Sequence, residues 1–98
     1  MTTLTQTGPS SWSFKGELTF ATVAGMLTAG PKVNPTKSAV VDFSGLTRGD
    51  SAGLSLLVEW MAAARASGGL LRYTGLPENF ARLAHVAGLD FLNSPFDR

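Results

Sequence analysis

Alternating hydrophobic and polar positions predict a half-buried strand over residues 11–20. Trp12 and Phe14 each follow a serine there, which is the period-two pattern of a strand with one face in the core. Gly16 lies inside this segment and predicts a turn or a bulge. Residues 1–10 are expected to form a flexible N-terminal segment.

Helical spacing replaces alternation over residues 19–30. Val23, Met26 and Leu27 recur at intervals that place them on one face of a short helix, which Gly30 and the following proline end. Residues 31–37 contain two prolines and an asparagine and predict a loop.

The remaining pattern alternates strands and helices. An unbroken apolar run in residues 38–46 favours a central strand covered on both faces. A turn at 47–49, a long helix from about Asp50 to Ser67, a strand at 70–75 and a closing helix within 76–89 follow.

Strands that alternate with helices are joined by right-handed crossovers into a largely parallel sheet. The chain of 98 residues has room for one hydrophobic core. We therefore expect a single small α/β domain over residues 1–98. Its sheet is mixed and largely parallel, with about four strands and about three helices packed on it.

The composition of the chain argues against several classes of function. The net charge is +1 and the eight basic residues are scattered, which does not favour nucleic-acid binding. No secretory signal is evident, and the longest apolar stretch is shorter than the roughly 20 residues that span a bilayer. We therefore expect a cytoplasmic domain that does not itself insert into the membrane.

The long helix carries two apolar groups on a helical wheel. The first is expected to pack on the sheet and comprises Leu54, Leu57, Val58, Met61 and Ala64. The second lies beside Ser55 and Glu59 and comprises Ala52, Leu56, Trp60 and Ala63. Trp60 packs either on a neighbouring helix or in an exposed partner-binding surface that has Ser51, Ser55 and Glu59 as its polar rim.

The start of this helix carries a signal of its own. Asp50 is a good N-cap, because its carboxylate accepts free N–H groups of the first turn and opposes the positive end of the helix dipole. Ser51 is not needed for that cap and is a candidate phosphorylation site. We expect a phosphate on Ser51 to lie among the N–H groups of the first turn.

A small enzyme is the least favoured class. The chain has one histidine, His85, and no cysteine, so neither a catalytic triad nor a thiolate metal site is predicted. His85 is expected on the solvent side of the closing helix. Asp42 and Asp50 match no acid–base or metal motif, and the phosphate-loop pattern is absent from the sequence. We therefore predict no catalytic residue, no metal site and no cofactor.

The segment "VVDFSGLTRGDSAGLSLLVEW" resembles the core of the STAS domain, the fold of anti-sigma-factor antagonists. "LPENFARLAHVAGLDFL" is similar to the closing helix of that family, and "KGELTFATVAGML" to its first strand pair and helix. The Asp-Ser-x-Gly-Leu helix start, with Gly53 and Leu54 in its last two positions, is shared by several branches. The short chain and "DSAGLSLLVEW" point to the MlaB-like branch, which belongs to the Mla phospholipid transporter.

The resemblance implies a non-catalytic subunit that binds an MlaF-like ABC ATPase, within a complex that also contains a permease. It would lie peripheral to the inner membrane through that partner. By carry-over, Ser51 matches the hydroxyl position that is phosphorylated in the sigma-factor pathway and matters for ATPase binding in MlaB-like proteins. The partner-binding residues would be Asp50, Ser51, Ser55, Leu56, Glu59 and Trp60. The alternative is an anti-sigma-factor antagonist that a partner serine kinase regulates at Ser51.

Overall fold

The protein is described by a computed structural model that covers residues 2–27, 29–31 and 37–89. Its elements follow the chain in the order β1 (Thr3–Gly8), β2 (Ser11–Leu18), α1 (Phe20–Met26), β3 (Ser38–Gly49), α2 (Ser51–Ala66), β4 (Leu70–Thr74) and α3 (Glu78–Val86). The predicted alternation of helices and strands from β2 onward is confirmed, whereas β1 was not predicted. Most of the predicted loop at 31–37, and residues 90–98, lie outside the described residues.

The four strands form one sheet in the order β1-β2-β3-β4. β1 and β2 are antiparallel, whereas β2, β3 and β4 run parallel to one another. Each parallel neighbour is reached through a helix, as βαβ connections require. The predicted α/β fold, with a mixed and mostly parallel sheet and three helices, is confirmed.

The N-terminal segment differs from the expectation of flexibility, because residues 3–8 form strand β1. Threonine at every second position suits a strand, and Leu4 packs in part against the core beside its register partner Phe14. The chain turns at Pro9 and Ser10 rather than at Gly16. Gly16 instead lies within β2 with a φ of 109°, next to a register shift in which β3 carries one extra residue, Thr47.

Strand β3 differs from the prediction in the burial of its two faces and in where it ends. Val41 and Phe43 are buried while Val40 and Asp42 are only half-buried, so burial alternates along the strand. The expectation that both faces are covered is therefore wrong, because the buried side chains of the sheet form a single core with those of the helices. The predicted turn at 47–49 is likewise part of β3, which stays paired with β2 as far as Gly49.

Aromatic residues from three adjacent strands form the centre of the core. The ring centroids of Phe14 and Phe43 are 5.1 Å apart, and those of Phe43 and Tyr73 are 5.3 Å apart in an edge-to-face arrangement. The Tyr73 hydroxyl donates a 2.6 Å hydrogen bond to the carbonyl oxygen of Leu57 in α2. Burial raises the pKa of Tyr73 well above its usual value, so this hydroxyl remains a donor that fixes α2 on the sheet.

The first turn of α2 lies very close to the end of β2. A Cβ atom added to Gly53 would lie 2.2 Å from the carbonyl oxygen of Leu18. The glycine of the Asp-Ser-x-Gly-Leu pattern therefore has a local steric cause, which is that any larger residue would push the helix start away from the sheet.

We expect Gly53→Ala to lower the free energy of unfolding by roughly 1 to 3 kcal/mol, the usual cost of overpacking a tight contact. This loss outweighs the gain of up to about 1 kcal/mol that alanine brings to a helix interior. Urea unfolding followed by far-UV circular dichroism measures the difference.

Gly25→Ala is the matched control, since Gly25 lies in α1 and a Cβ atom added there meets nothing within 4 Å. It should be neutral or stabilising by up to about 1 kcal/mol. Equal stability of the two variants would contradict the steric role of Gly53.

Candidate partner-binding site

The Asp50 carboxylate binds the first turns of two helices at once. Oδ1 accepts hydrogen bonds from the backbone N–H groups of Ala52 and Gly53 at 3.0 and 3.2 Å, which confirms Asp50 as the N-cap of α2. Oδ2 accepts a 3.0 Å hydrogen bond from the N–H of Phe20, the first residue of α1. One side chain therefore fixes the starts of α1 and α2 relative to each other.

These hydrogen bonds also set the ionisation of Asp50. The Phe20 N–H has the largest effect in holding the pKa of Asp50 below its usual range, followed by the N–H groups of Gly53 and Ala52. Partial burial acts in the opposite direction, and the positive charge of Arg48 adds a smaller lowering. The carboxylate is thus fully ionised near neutral pH, as the cap requires.

Ser51 is the first residue of α2 and is exposed. The N–H groups of Ala52 and Gly53 are already bound by Asp50, and the N–H of Leu54 donates to the Asp50 carbonyl. A phosphate on Ser51 would therefore lie beside N–H groups that Asp50 already binds, and beside the ionised Asp50 carboxylate.

Three of the predicted partner-binding residues lie together on the outer side of α2. Ser51, Ser55 and Glu59 are four residues apart in turn, and all three are exposed. The Ser55 hydroxyl donates to the Ser51 carbonyl at 3.2 Å. We call this row of Ser51, Ser55 and Glu59 the α2 ridge. These are the three residues that the sequence analysis proposed as a polar rim.

The predicted apolar part of the surface is absent, because the side chains of Leu56 and Trp60 lie in the core. They are 2% and 4% exposed. A Cβ atom added to Gly30 would lie 2.6 Å from the Trp60 indole nitrogen, so the segment after α1 is seated directly against this ring. The expectation that these two side chains form an exposed partner-binding surface is therefore wrong, and Trp60 packs against the segment that follows α1.

The reason is that α2 is covered by α1 as well as by the sheet. Its buried side is consequently rotated by roughly 60° from the one predicted, at about 100° per residue. Val58 and Met61, expected on the buried side, are half-buried and line a groove of about 440 Å³ with Ala62, Arg65 and Ala66. A helical wheel alone does not show where a second element packs on the helix.

An exposed aromatic residue that the sequence interpretation missed lies next to the helix start. Phe20 is 81% exposed although its backbone is bound to Asp50. Ala24 and Leu27 follow it at helical spacing, and both are exposed, Leu27 by 57%. We call this row of Phe20, Ala24 and Leu27 the α1 stripe. Its spacing was visible in the sequence, but the rotation of α1 about its axis was not.

The other polar candidates are separate from this site. Asp42 accepts hydrogen bonds from the backbone N–H and the hydroxyl of Ser44, at 2.9 and 3.0 Å. His85 is exposed on α3, as expected.

Within the described residues, no three His, Asp or Glu side chains are grouped so as to hold a metal ion. In the same ranges, no helix combines the length and hydropathy needed to cross a membrane.

Residues 8–93 match the family model described as "Mlab, STAS domain". The matched range contains the whole of the site, including Asp50, the α2 ridge and the α1 stripe. No curated protein matches the chain. The resemblance inferred from the Asp-Ser-x-Gly-Leu helix start and the closing helix is confirmed at the level of the family.

We expect Asp50→Ala to lower the free energy of unfolding at pH 7 by about 1 to 2 kcal/mol, as loss of an N-cap does. Asp50→Asn should lose less, because its one amide oxygen still caps α2 while its NH2 group cannot accept from Phe20. Since the pKa of Asp50 is lowered on folding, its stabilisation is complete above about pH 4 and is lost as the pH falls through the folded pKa. Urea unfolding between pH 2.5 and 7 should show the wild type and Asp50→Ala converging in acid.

A constant difference between wild type and Asp50→Ala across that pH range would contradict the role of the ionised carboxylate.

We expect Trp60→Ala to lower the free energy of unfolding by about 3 to 5 kcal/mol, the usual cost of removing a large buried aromatic side chain. Thermal unfolding followed by circular dichroism measures this loss. If the variant kept wild-type stability but lost partner binding, Trp60 would instead belong to the binding surface.

Proposed function

Because the chain belongs to the MlaB-like STAS-domain family, we propose that it is a non-catalytic cytoplasmic subunit that binds the ABC ATPase of an Mla-type transport system. In this role it supports the assembly and activity of a complex that moves phospholipids between the inner and outer membranes. It is held at the inner membrane through that ATPase.

The observation that supports this proposal is the construction of the helix start. The α2 ridge is exposed on a helix whose first turn is fixed by Asp50 and by the close approach of Gly53 to Leu18, and whose second turn is bound by the Tyr73 hydroxyl. A surface that is already ordered loses little conformational entropy when it binds. Such an ordered, exposed surface is suited to binding a protein partner.

In the proposed complex, the ATPase contacts the first turns of α2. The Ser51 hydroxyl donates to or accepts from the partner at the edge of the contact, and Ser55 and Glu59 extend the polar contact along the helix. The domain supplies binding energy and orientation. Nucleotide binding and hydrolysis belong to the ATPase.

The alternative function is an anti-sigma-factor antagonist that is switched by phosphorylation of Ser51. The observation that supports this alternative is that Ser51 is exposed and lies next to the ionised Asp50. A phosphate adds about 1.5 to 2 negative charges next to this carboxylate, and the nearest N–H groups are already occupied. The added charge would change what the surface can bind.

We expect Ser51→Asp to weaken binding of the purified ATPase subunit of the source organism's Mla-type transporter by at least about 10-fold, which corresponds to 1.4 kcal/mol. The reason is a second carboxylate beside Asp50 at the proposed contact. Isothermal titration calorimetry measures the dissociation constant. Ser10→Asp is the matched control, because Ser10 is an exposed turn residue at the opposite end of β2.

Two results would contradict parts of this proposal. Wild-type protein that does not bind the ATPase would remove the transporter function, and specific capture and phosphorylation of Ser51 by a serine kinase would establish the alternative. Equal binding by wild type, Ser51→Asp and Ser10→Asp would keep the partner but exclude Ser51 from the contact.

A further inference from the structure

Strand β1 is an open edge of the sheet. It pairs with β2 on one side, and among the described residues no strand lies on its other side. Thr5 and Gln6 point to opposite faces of the sheet and are both exposed, so nothing within those residues covers the strand from either face. Another strand can therefore approach this edge and its N–H and C=O groups.

Two sets of hydrogen bonds show which backbone groups of β2 face β1. The Thr2 hydroxyl accepts from the N–H of Glu17 at 3.2 Å and donates to its carbonyl oxygen at 3.0 Å, so the backbone groups of Glu17 point toward β1. Just before β2, the Ser10 carbonyl accepts from the N–H of Val40 in β3. Because the direction alternates along a strand, odd-numbered residues of β2 face β1 and even-numbered residues face β3.

The register between the two strands then identifies the outward groups of β1. Thr3 and Thr5 lie opposite odd-numbered residues of β2, so their N–H and C=O groups are bonded to that strand. Leu4 and Gln6 alternate with these threonines, and their N–H and C=O groups consequently point to the open edge. The edge offers two donors and two acceptors in the regular part of the strand.

Strand β1 lacks the charges and prolines that usually protect an edge. Its six residues include neither. By contrast β4, the edge strand on the other side, is five residues long and has Arg72 at its centre. The register of β1 shifts only between Gln6 and Gly8, next to the turn. A second copy of the same uncharged strand can thus approach without like-charge repulsion.

We propose that β1 pairs with β1 of a second copy of this chain, antiparallel and in a register centred on Thr5. Leu4 of each copy then lies opposite Gln6 of the other, and these pairs exchange N–H···O=C hydrogen bonds through the groups that face outward. Thr5 lies opposite Thr5 at a non-hydrogen-bonded position, where Cα atoms are about 4.5 Å apart. The edge-to-edge contact joins two four-stranded sheets into one.

The choice of register follows from the strand itself. Opposed residues of a continuous sheet share a face, so the two-fold axis must pass through a residue position rather than between two residues. A centre on Leu4 would use Thr2, which precedes the strand, and a centre on Gln6 would use Gly8, which lies beyond the register shift. Only a centre on Thr5 confines the bonds to the regular part of β1.

The pairing is independent of the proposed function. Helix α2 packs on α1, β3 and β4, so the α2 ridge stays uncovered when β1 is paired. A contact along one short edge is smaller than a standard protein interface. We therefore expect a weak dimer that forms between micromolar and millimolar concentrations.

Cysteine variants test the register, since the chain contains no cysteine of its own. Under mild oxidation, Thr5→Cys should form an intermolecular disulfide at least about 10-fold faster than a control variant, because directly opposed Cβ atoms come within disulfide range. Val86→Cys is the matched control, since Val86 is 79% exposed but lies on α3. Non-reducing gel electrophoresis at equal protein concentration measures the two rates.

Sedimentation equilibrium measures the dimer without a cross-link. Thr5→Lys should raise its dissociation constant at least about 10-fold, because like charges directly opposite each other destabilise a strand pair. Gln6→Pro should act in the same direction, since it removes an outward N–H and leaves the backbone bonds to β2 in place. Val86→Lys carries the same added charge on α3 and should dimerise as the wild type does. Far-UV circular dichroism confirms that each variant is folded.

The outcomes decide the proposal as follows. A wild-type dimer that is lost in Thr5→Lys and kept in Val86→Lys, together with rapid cross-linking of Thr5→Cys, supports it. A folded wild type that stays monomeric at millimolar concentration overturns it, as does cross-linking of Thr5→Cys no faster than that of Val86→Cys. In a mixture, disulfides between Thr5→Cys of one copy and Ser13→Cys of another would show that β1 is exchanged between copies, which also overturns edge pairing.

Discussion

The Asp50 carboxylate is the interaction on which the geometry of the site depends. Its two oxygens bind the first turns of two helices that begin 30 residues apart in the chain. A neutral side chain at this position can satisfy one helix start but not both, whereas a carboxylate accepts on both oxygens. The relative position of α1 and α2, and hence of the stripe and the ridge, follows from this one ionised group.

The start of α2 is closely packed on the sheet, yet the outer face of the neighbouring helix α1 is exposed. Gly53 lets α2 approach the Leu18 carbonyl, and that approach brings Asp50 within reach of Phe20. Because α1 then covers the flank of α2 that contains Leu56 and Trp60, its own outer face is left to solvent. The outer face of α1 is therefore exposed because the opposite face of this helix packs on α2.

Much of the fold was predictable from local sequence. The order of elements, the Asp50 cap and the α/β class follow from periodicity, turn residues and the Asp-Ser-x-Gly-Leu helix start. Strand β1 escaped prediction because its pairing with β2 is a nonlocal interaction. Trp60 was expected at an exposed surface but is buried, because a helical wheel gives the side on which a residue lies and not which neighbouring element covers it.

The burial of both tryptophans has a spectroscopic consequence. Trp12 and Trp60 are 8% and 4% exposed, and each lies in the core rather than on the ridge or the stripe. The intrinsic emission of the folded domain therefore comes from two shielded indoles and reports unfolding strongly. Phe20 is exposed, whereas neither indole is, so an extrinsic fluorophore beside α1 would report events at the surface that the two tryptophans do not.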